Sequence, residues 1–143
     1  MNSKTRMTWQ KDMVFDVEVN GHHILLDADE KWGGNNAGPR PKPLVLAALS
    51  GCSGMDVVSI LDKMKLNDYT MIVDVDGEMT ETHPMYYHSI EMTFIFSGAN
   101  LPIDKIEKAI KLSTEQYCGV FAMLQKSAEI TVKLIVNDIE VIL

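Results

Sequence analysis

Two cysteines in 143 residues are too few for a disulfide scaffold. Cys52 and Cys118 form no CxxC pair, and the chain has no HExxH or other metal-ligand spacing. The four histidines, His22, His23, His83 and His88, show no ligand spacing either, so no metal is expected. Arginine is equally scarce, at Arg6 and Arg40 only, and the formal net charge of -7 argues against nucleic acid as a partner, since phosphates repel an acidic surface. No GxGxxG or P-loop is present. The segment GGNNAG, Gly33 to Gly38, lacks the lysine and the Lys-Ser/Thr pair of a phosphate loop and reads as a mobile connector, so no cofactor is implied. The opening MNSKTRMTWQKDM has no apolar run after its charges, hence no signal peptide is read. Paired thiols without such a signal point to a reducing, cytoplasmic setting, where they are more often redox-active than structural.

What is present organises itself around Pro41 to Met64, PKPLVLAALSGCSGMDVVSILDKM. This run is too long for one strand, is rich in Leu, Ala and Met, and has its prolines at the start, where a missing N–H costs little. It predicts a helix. Apolar residues lie on every side from Leu44 to Leu61, so the helix must be wrapped by protein. A membrane span is disfavoured by Asp56 at mid-helix and by the Ser and Gly residues around Cys52. Gly in a helix interior costs about 1 kcal/mol relative to Ala. Gly51 and Gly54 together therefore suggest that another backbone or a ligand passes near Cys52.

The rest of the chain fits one domain, 1–143, with a sizeable core. Arg6 to Gln10 is a short edge strand. Met13 to Asn20 alternates as a half-buried strand, Asn20-Gly21 signals a type I′ turn, and His23 to Asp27 returns. Ala28 to Lys42 is a polar loop, long enough to be functional or to cross to another subunit. After the central helix, Asp68 to Thr80 and Tyr86 to Phe96 read as strands. Pro102 to Gln116 is a half-exposed helix, Val120 to Lys126 a further helical turn, and Ile130 to Val136 a closing strand. The order β-β-β-α-β-β-α-α-β predicts an α+β domain with mostly antiparallel strands rather than a doubly wound sheet.

The cysteines sit in contrasting places. Cys52 lies on a rigid helix among small residues, while Cys118 stands where a helix ends and Gly119 permits a turn. That asymmetry suits a two-cysteine thiol peroxidase, in which a fixed thiolate becomes a sulfenic acid and a mobile thiol condenses with it. Two unrelated buried cysteines fit the same pattern.

The segments GPRPKPLVLAALSGCSGMDVVSIL and STEQYCGVFAML resemble the two cysteine motifs of the OsmC/Ohr family, the osmotically inducible protein C and organic hydroperoxide resistance proteins. The similarity covers nearly the whole chain. It is greatest to the OsmC-like subgroup with DVVSIL after the first cysteine and a YC pair at the second. The resemblance implies an intertwined homodimer, with a six-stranded sheet from each half wrapped around paired central helices and active sites at the subunit interface. It further implies reduction of hydroperoxides, preferably organic ones, at the expense of a dithiol reductant. Cys52 would be the peroxidatic thiol and Cys118 the resolving one.

The family's best-studied members also carry an Arg and a Glu that hold the peroxide and favour the thiolate. Here Lys42 stands ten residues before Cys52, where the Glu is expected, and neither arginine matches the family's position in the early strands. Arg40 or Lys42 is the candidate replacement cation. Asp56, one helical turn beyond Cys52, would oppose thiolate formation if it points the same way. Glu115, three residues before Cys118, is the next carboxylate to consider, against its plainer reading as a solvated helix face. The incomplete Arg/Glu apparatus keeps open a second class of function: a non-enzymatic protein of the same fold that binds a small apolar ligand or senses redox state at the dimer interface.

Overall fold

The computed structural model describes all residues, Met1–Leu143, and the chain divides into two compact units, Met1–Val45 and Leu46–Leu143. In the first unit, β1 (Thr5–Lys11), β2 (Val14–Val19) and β3 (His22–Leu26) form an antiparallel sheet in that order. The expected Asn20-Gly21 turn is present, with φ of 51° and 79°, the paired left-handed conformations that a type I′ turn requires.

The connector after β3 is not slack. Asp27, 2% exposed, accepts backbone N–H bonds from Ala28 at 2.8 Å, Asn35 at 2.9 Å and Ala37 at 3.1 Å. These bonds hold its carboxyl below the usual carboxylate range, the one from Asn35 contributing most. A short 3-10 turn, Glu30–Trp32, lies within the loop. A Cβ on Gly34 would strike the Ala28 carbonyl, and one on Gly38 the Leu25 carbonyl. The glycines that suggested mobility are there because backbone passes against backbone.

The helix α1 (Pro41–Lys63) begins in the first unit and runs on into the second. There follow β4 (Thr70–Met79), β5 (Tyr87–Ser97), α2 (Ile103–Leu112), a π-type turn at Ser113–Tyr117, α3 (Gly119–Leu124), β6 (Glu129–Val136) and β7 (Ile139–Val141). The sheet order is β4-β5-β6-β7, antiparallel except for the parallel β5–β6 pair, which the α2–α3 segment joins as a crossover. One face of this sheet supplies Ile90, Met92, Phe94 and Phe96 from β5 and Leu134 and Val136 from β6. They form one core with Leu49, Val57 and Leu61 of α1 and Ile106, Ala109 and Ile110 of α2.

The expected enclosure of α1 holds along one stripe only, Leu49, Ser53, Gly54, Val57 and Leu61. Met55 is 76% exposed and Val58 44%. The other departure is at the C-terminal end of α2. Where one helix to Gln116 was expected, regular α-helix stops at Leu112. The Cys118 N–H donates to the Ser113 carbonyl at 2.7 Å, closing a wider turn of five residues. Thr114 contributes to this opening, since its hydroxyl donates back to the Ile110 carbonyl at 3.1 Å.

Candidate functional site

Residues four apart on a helix share a face, so Cys52 and Asp56 project together from the middle of α1. The π-type turn brings Cys118 to meet them. The Cys52 and Cys118 sulfurs and an Asp56 carboxylate oxygen all lie within 4.8 Å of one another. Both thiols are free; Cys52 is half-buried and Cys118 is 3% exposed. An S–S bond is about 2 Å long, so disulfide closure asks the sulfurs to approach by at most about 3 Å.

Serines complete the surroundings. The Ser113 hydroxyl donates to Asp56 Oδ2 at 3.1 Å and lies 3.5 Å from the Ser53 carbonyl oxygen. Ser53 is fully buried, and its own hydroxyl lacks a hydrogen-bond partner of good geometry. It lies close enough to the Cys118 sulfur to favour its thiolate. The Cys118 sulfur also caps α3, accepting the Phe121 N–H at 3.3 Å. Burial nevertheless dominates and pushes the Cys118 thiol above its ordinary value, with the neighbouring Cys52 adding to the rise.

Two depressions lie along α1, and Asp56 lines one of them. One, of about 280 Å³, is lined by Asp56, Ser59, Ile60, Lys63, Leu112 and Tyr117, and gives Asp56 a path to solvent. The other, of about 670 Å³, is an open apolar groove between α1 and β4, bordered by Gly51, Gly54, Met55, Val58, Met71 and Val73. A Cβ on Gly51 would meet nothing within 4 Å, and one on Gly54 only ordinary contacts with Met71 and Val73. The close approach expected near Cys52 is therefore not made by this chain's own backbone at Gly51.

Of the other sequence candidates, Arg40 and Lys42 belong to the first unit and Glu115 to the second. The Arg40 Nη1 donates to the Gly38 carbonyl at 2.7 Å and to Asn36 Oδ1 at 3.2 Å. Lys42 is exposed in the first turn of α1. Glu115 is solvent-exposed and borders a shallow depression with Asp104, Glu107, Lys108, Lys111 and Leu112. Sequence reasoning noticed Asp56 as an argument against a membrane span and as an obstacle to the thiolate, and gave Ser53 and Ser113 no part in the site. The spacing of Asp56 from Cys52 was the available signal; nothing local marks Ser113 as facing it.

Residues 33–133 match the family model for OsmC-like proteins. Protein YhfA of Escherichia coli K12 is 36% identical over 129 residues, covering 90% of this chain and 93% of its own. A hypothetical protein of Aquifex aeolicus VF5 superposes with a TM-score of 0.84 at 27% identity, over 96% of this chain and 97% of that one. An organic hydroperoxide resistance protein of Elizabethkingia anophelis shares the fold with a TM-score of 0.67 at 17% identity, over 96% and 97% of the two chains. Matched across most of its length and carrying both cysteine segments, the chain belongs to the OsmC-like family.

Proposed function

We propose that this protein is a thiol peroxidase that reduces organic hydroperoxides through Cys52, with Cys118 as the resolving thiol. The observation that carries the reading is the approach of two free sulfurs from distant segments to within 4.8 Å. Fold similarity to a protein named for organic hydroperoxide resistance is consistent with it. In the first step the Cys52 thiolate attacks the terminal peroxide oxygen. An S–O bond forms, the O–O bond breaks, and the departing alkoxide takes a proton to leave as an alcohol. The Cys118 thiolate then attacks the Cys52 sulfur; the S–S bond forms and the hydroxyl departs as water after protonation. A dithiol reductant, of the kind a reducing cytoplasm maintains, returns two electrons and two protons. A half-buried Cys52 beside a buried Cys118 favours a greasy peroxide over a strongly hydrated one.

Titrating the reduced protein with an organic hydroperoxide tests this. Two thiols per chain should disappear rapidly in wild type, and the reaction should vanish in Cys52→Ser. A Cys52 that reacts no faster than free cysteine leaves the ligand-binding or redox-sensing reading in its place. Arg40→Ala slows the first step if its guanidinium serves as the activating cation; an unchanged rate removes it from the site. We further assign the active species as a homodimer, because α1 leaves Met55 and Val58 uncovered beside the groove.

A further inference from the structure

The same pair of sulfurs presents a feature that peroxide chemistry does not need. A carboxylate oxygen lies within 4.8 Å of both sulfurs, and the proposed peroxide steps give it no role. Such an arrangement suits a cation. Two thiolates and a carboxylate repel one another when deprotonated, and a divalent ion placed between them converts that repulsion into bonding.

We propose that Cys52, Cys118 and Asp56 form a binding site for a thiophilic divalent cation of the zinc class, a site that holds both thiols out of reach of oxidants while occupied. The three donor atoms lie within 4.8 Å of one another. Zinc-type ions bind sulfur at about 2.3 Å and carboxylate oxygen at about 2.0–2.2 Å, so donors around a tetrahedral ion stand somewhat less than 4 Å apart. Only a small contraction separates the cluster from that geometry. Soft thiolates select zinc and its congeners over magnesium or calcium.

Two further observations point to a ligand. The Ser113 hydroxyl anchors Asp56 Oδ2 at 3.1 Å, which fixes the carboxylate and leaves its second oxygen available, as outer partners do for metal-bound carboxylates. Ser53 Oγ, buried against the Cys118 sulfur without a well-formed bond, has capacity for a water carried by the ion at its fourth position. The depression beside Asp56 supplies the entry path. Occupancy exchanges protons for metal: each S–H proton leaves to solvent as its S–metal bond forms, and no electron moves. The histidines and any CxxC spacing play no part, so the site is invisible to sequence spacing.

Cadmium chloride, titrated into the reduced full-length protein free of added thiols, tests the site through its thiolate-to-cadmium ultraviolet absorption. Expected are saturation at one ion per chain, release of thiol protons, loss of about half the absorption in Cys118→Ser, and displacement of cadmium by zinc. Asp56→Asn should weaken binding at least about tenfold, and Ser113→Ala by about 10–100-fold with the absorption retained. Absence of the absorption, uptake of cadmium without it, or equal affinity in Asp56→Asn overturns the proposal. Proton release and absorption in wild type decide the matter even if a variant fails to fold. The inference shares its cysteines with the proposed peroxidase but not its chemistry. Hydroperoxide reactivity of the metal-free protein is therefore measured alongside: cadmium uptake without peroxide reactivity upholds the metal site and overturns the peroxidase, and the reverse result does the opposite.

Discussion

Cys118, 3% exposed, ionises less readily than a free thiol because burial penalises its charged form. The proposed second step then inherits a pH dependence that the first need not share. Below the raised value, the thiolate fraction grows about tenfold per pH unit, so disulfide closure should accelerate on going from neutral to alkaline solution. Trapping the Cys52 sulfenic acid with a dione reagent checks this; trapping should fall as pH rises. A pH-independent yield would detach Cys118 from the resolving role. The same shift has a stability consequence. A thiol held neutral by the fold contributes stability below its ordinary value of 9.0, and that contribution is lost as pH rises through the folded value. Asp27 behaves in the opposite sense. Its carboxyl is lowered by three backbone N–H groups, so its contribution is present above 3.8 and lost as pH falls through the folded value. Asp27→Asn should lower the melting temperature at neutral pH and flatten its decline in acid, measured by thermal melts across the acid range. Equal acid sensitivity in the variant would show that other carboxylates set it.

The segment from Ser113 to Cys118 decides whether the thiols meet. Regular helix through Gln116 would rotate the Cys118 backbone away from its present course; the wider turn is what delivers it. Ser113→Ala removes the hydroxyl bond to Asp56 and should cost about 0.5–1.5 kcal/mol in urea unfolding. It should also slow disulfide closure if the turn relaxes towards regular helix. The periodicity of Ile103, Ile106, Ala109 and Ile110 made α2 legible, because its apolar stripe does meet the core. The turn was illegible because it depends on a partner from α1, far away in sequence. The Asn20-Gly21 hairpin was plain for a local reason, the left-handed preference of both residues. The β6–β7 hairpin went unread although Asn137 and Asp138 take the same conformation, with φ of 48° and 64°. Asn-Asp is a weaker turn signal than Asn-Gly, and the three-residue β7 that follows offers too little alternation to notice. The cysteine pair itself was suggested by contrast between a rigid and a hinged position, and Asp56 was visible one turn beyond Cys52, but its approach to Cys118 depends on the fold.

Helix α1 is long and apolar enough to cross a membrane, yet only 28% of its apolar window is buried within the chain. In water a helix of that composition needs a cover, which the proposed homodimer would supply. Asp56 at mid-helix, hydrogen-bonded to Ser113, and Asp62 bordering the groove speak against lipid as the cover. A second copy fits better, since Gly51, with open space around its missing Cβ, allows another backbone to come close. Gly51→Ala separates the two settings. In an isolated chain the extra methyl group meets nothing and helix propensity improves by about 1 kcal/mol, so stability should rise. In a dimer packed through this face the same methyl group intrudes, and Gly51→Leu should intrude further. Light scattering should therefore report twice the chain mass for wild type and a concentration-dependent fall towards one chain for Gly51→Leu and for Met55→Glu. A wild-type protein that scatters as a single chain at all concentrations overturns the assignment, and flotation with lipid vesicles in that case would identify a membrane as the cover instead.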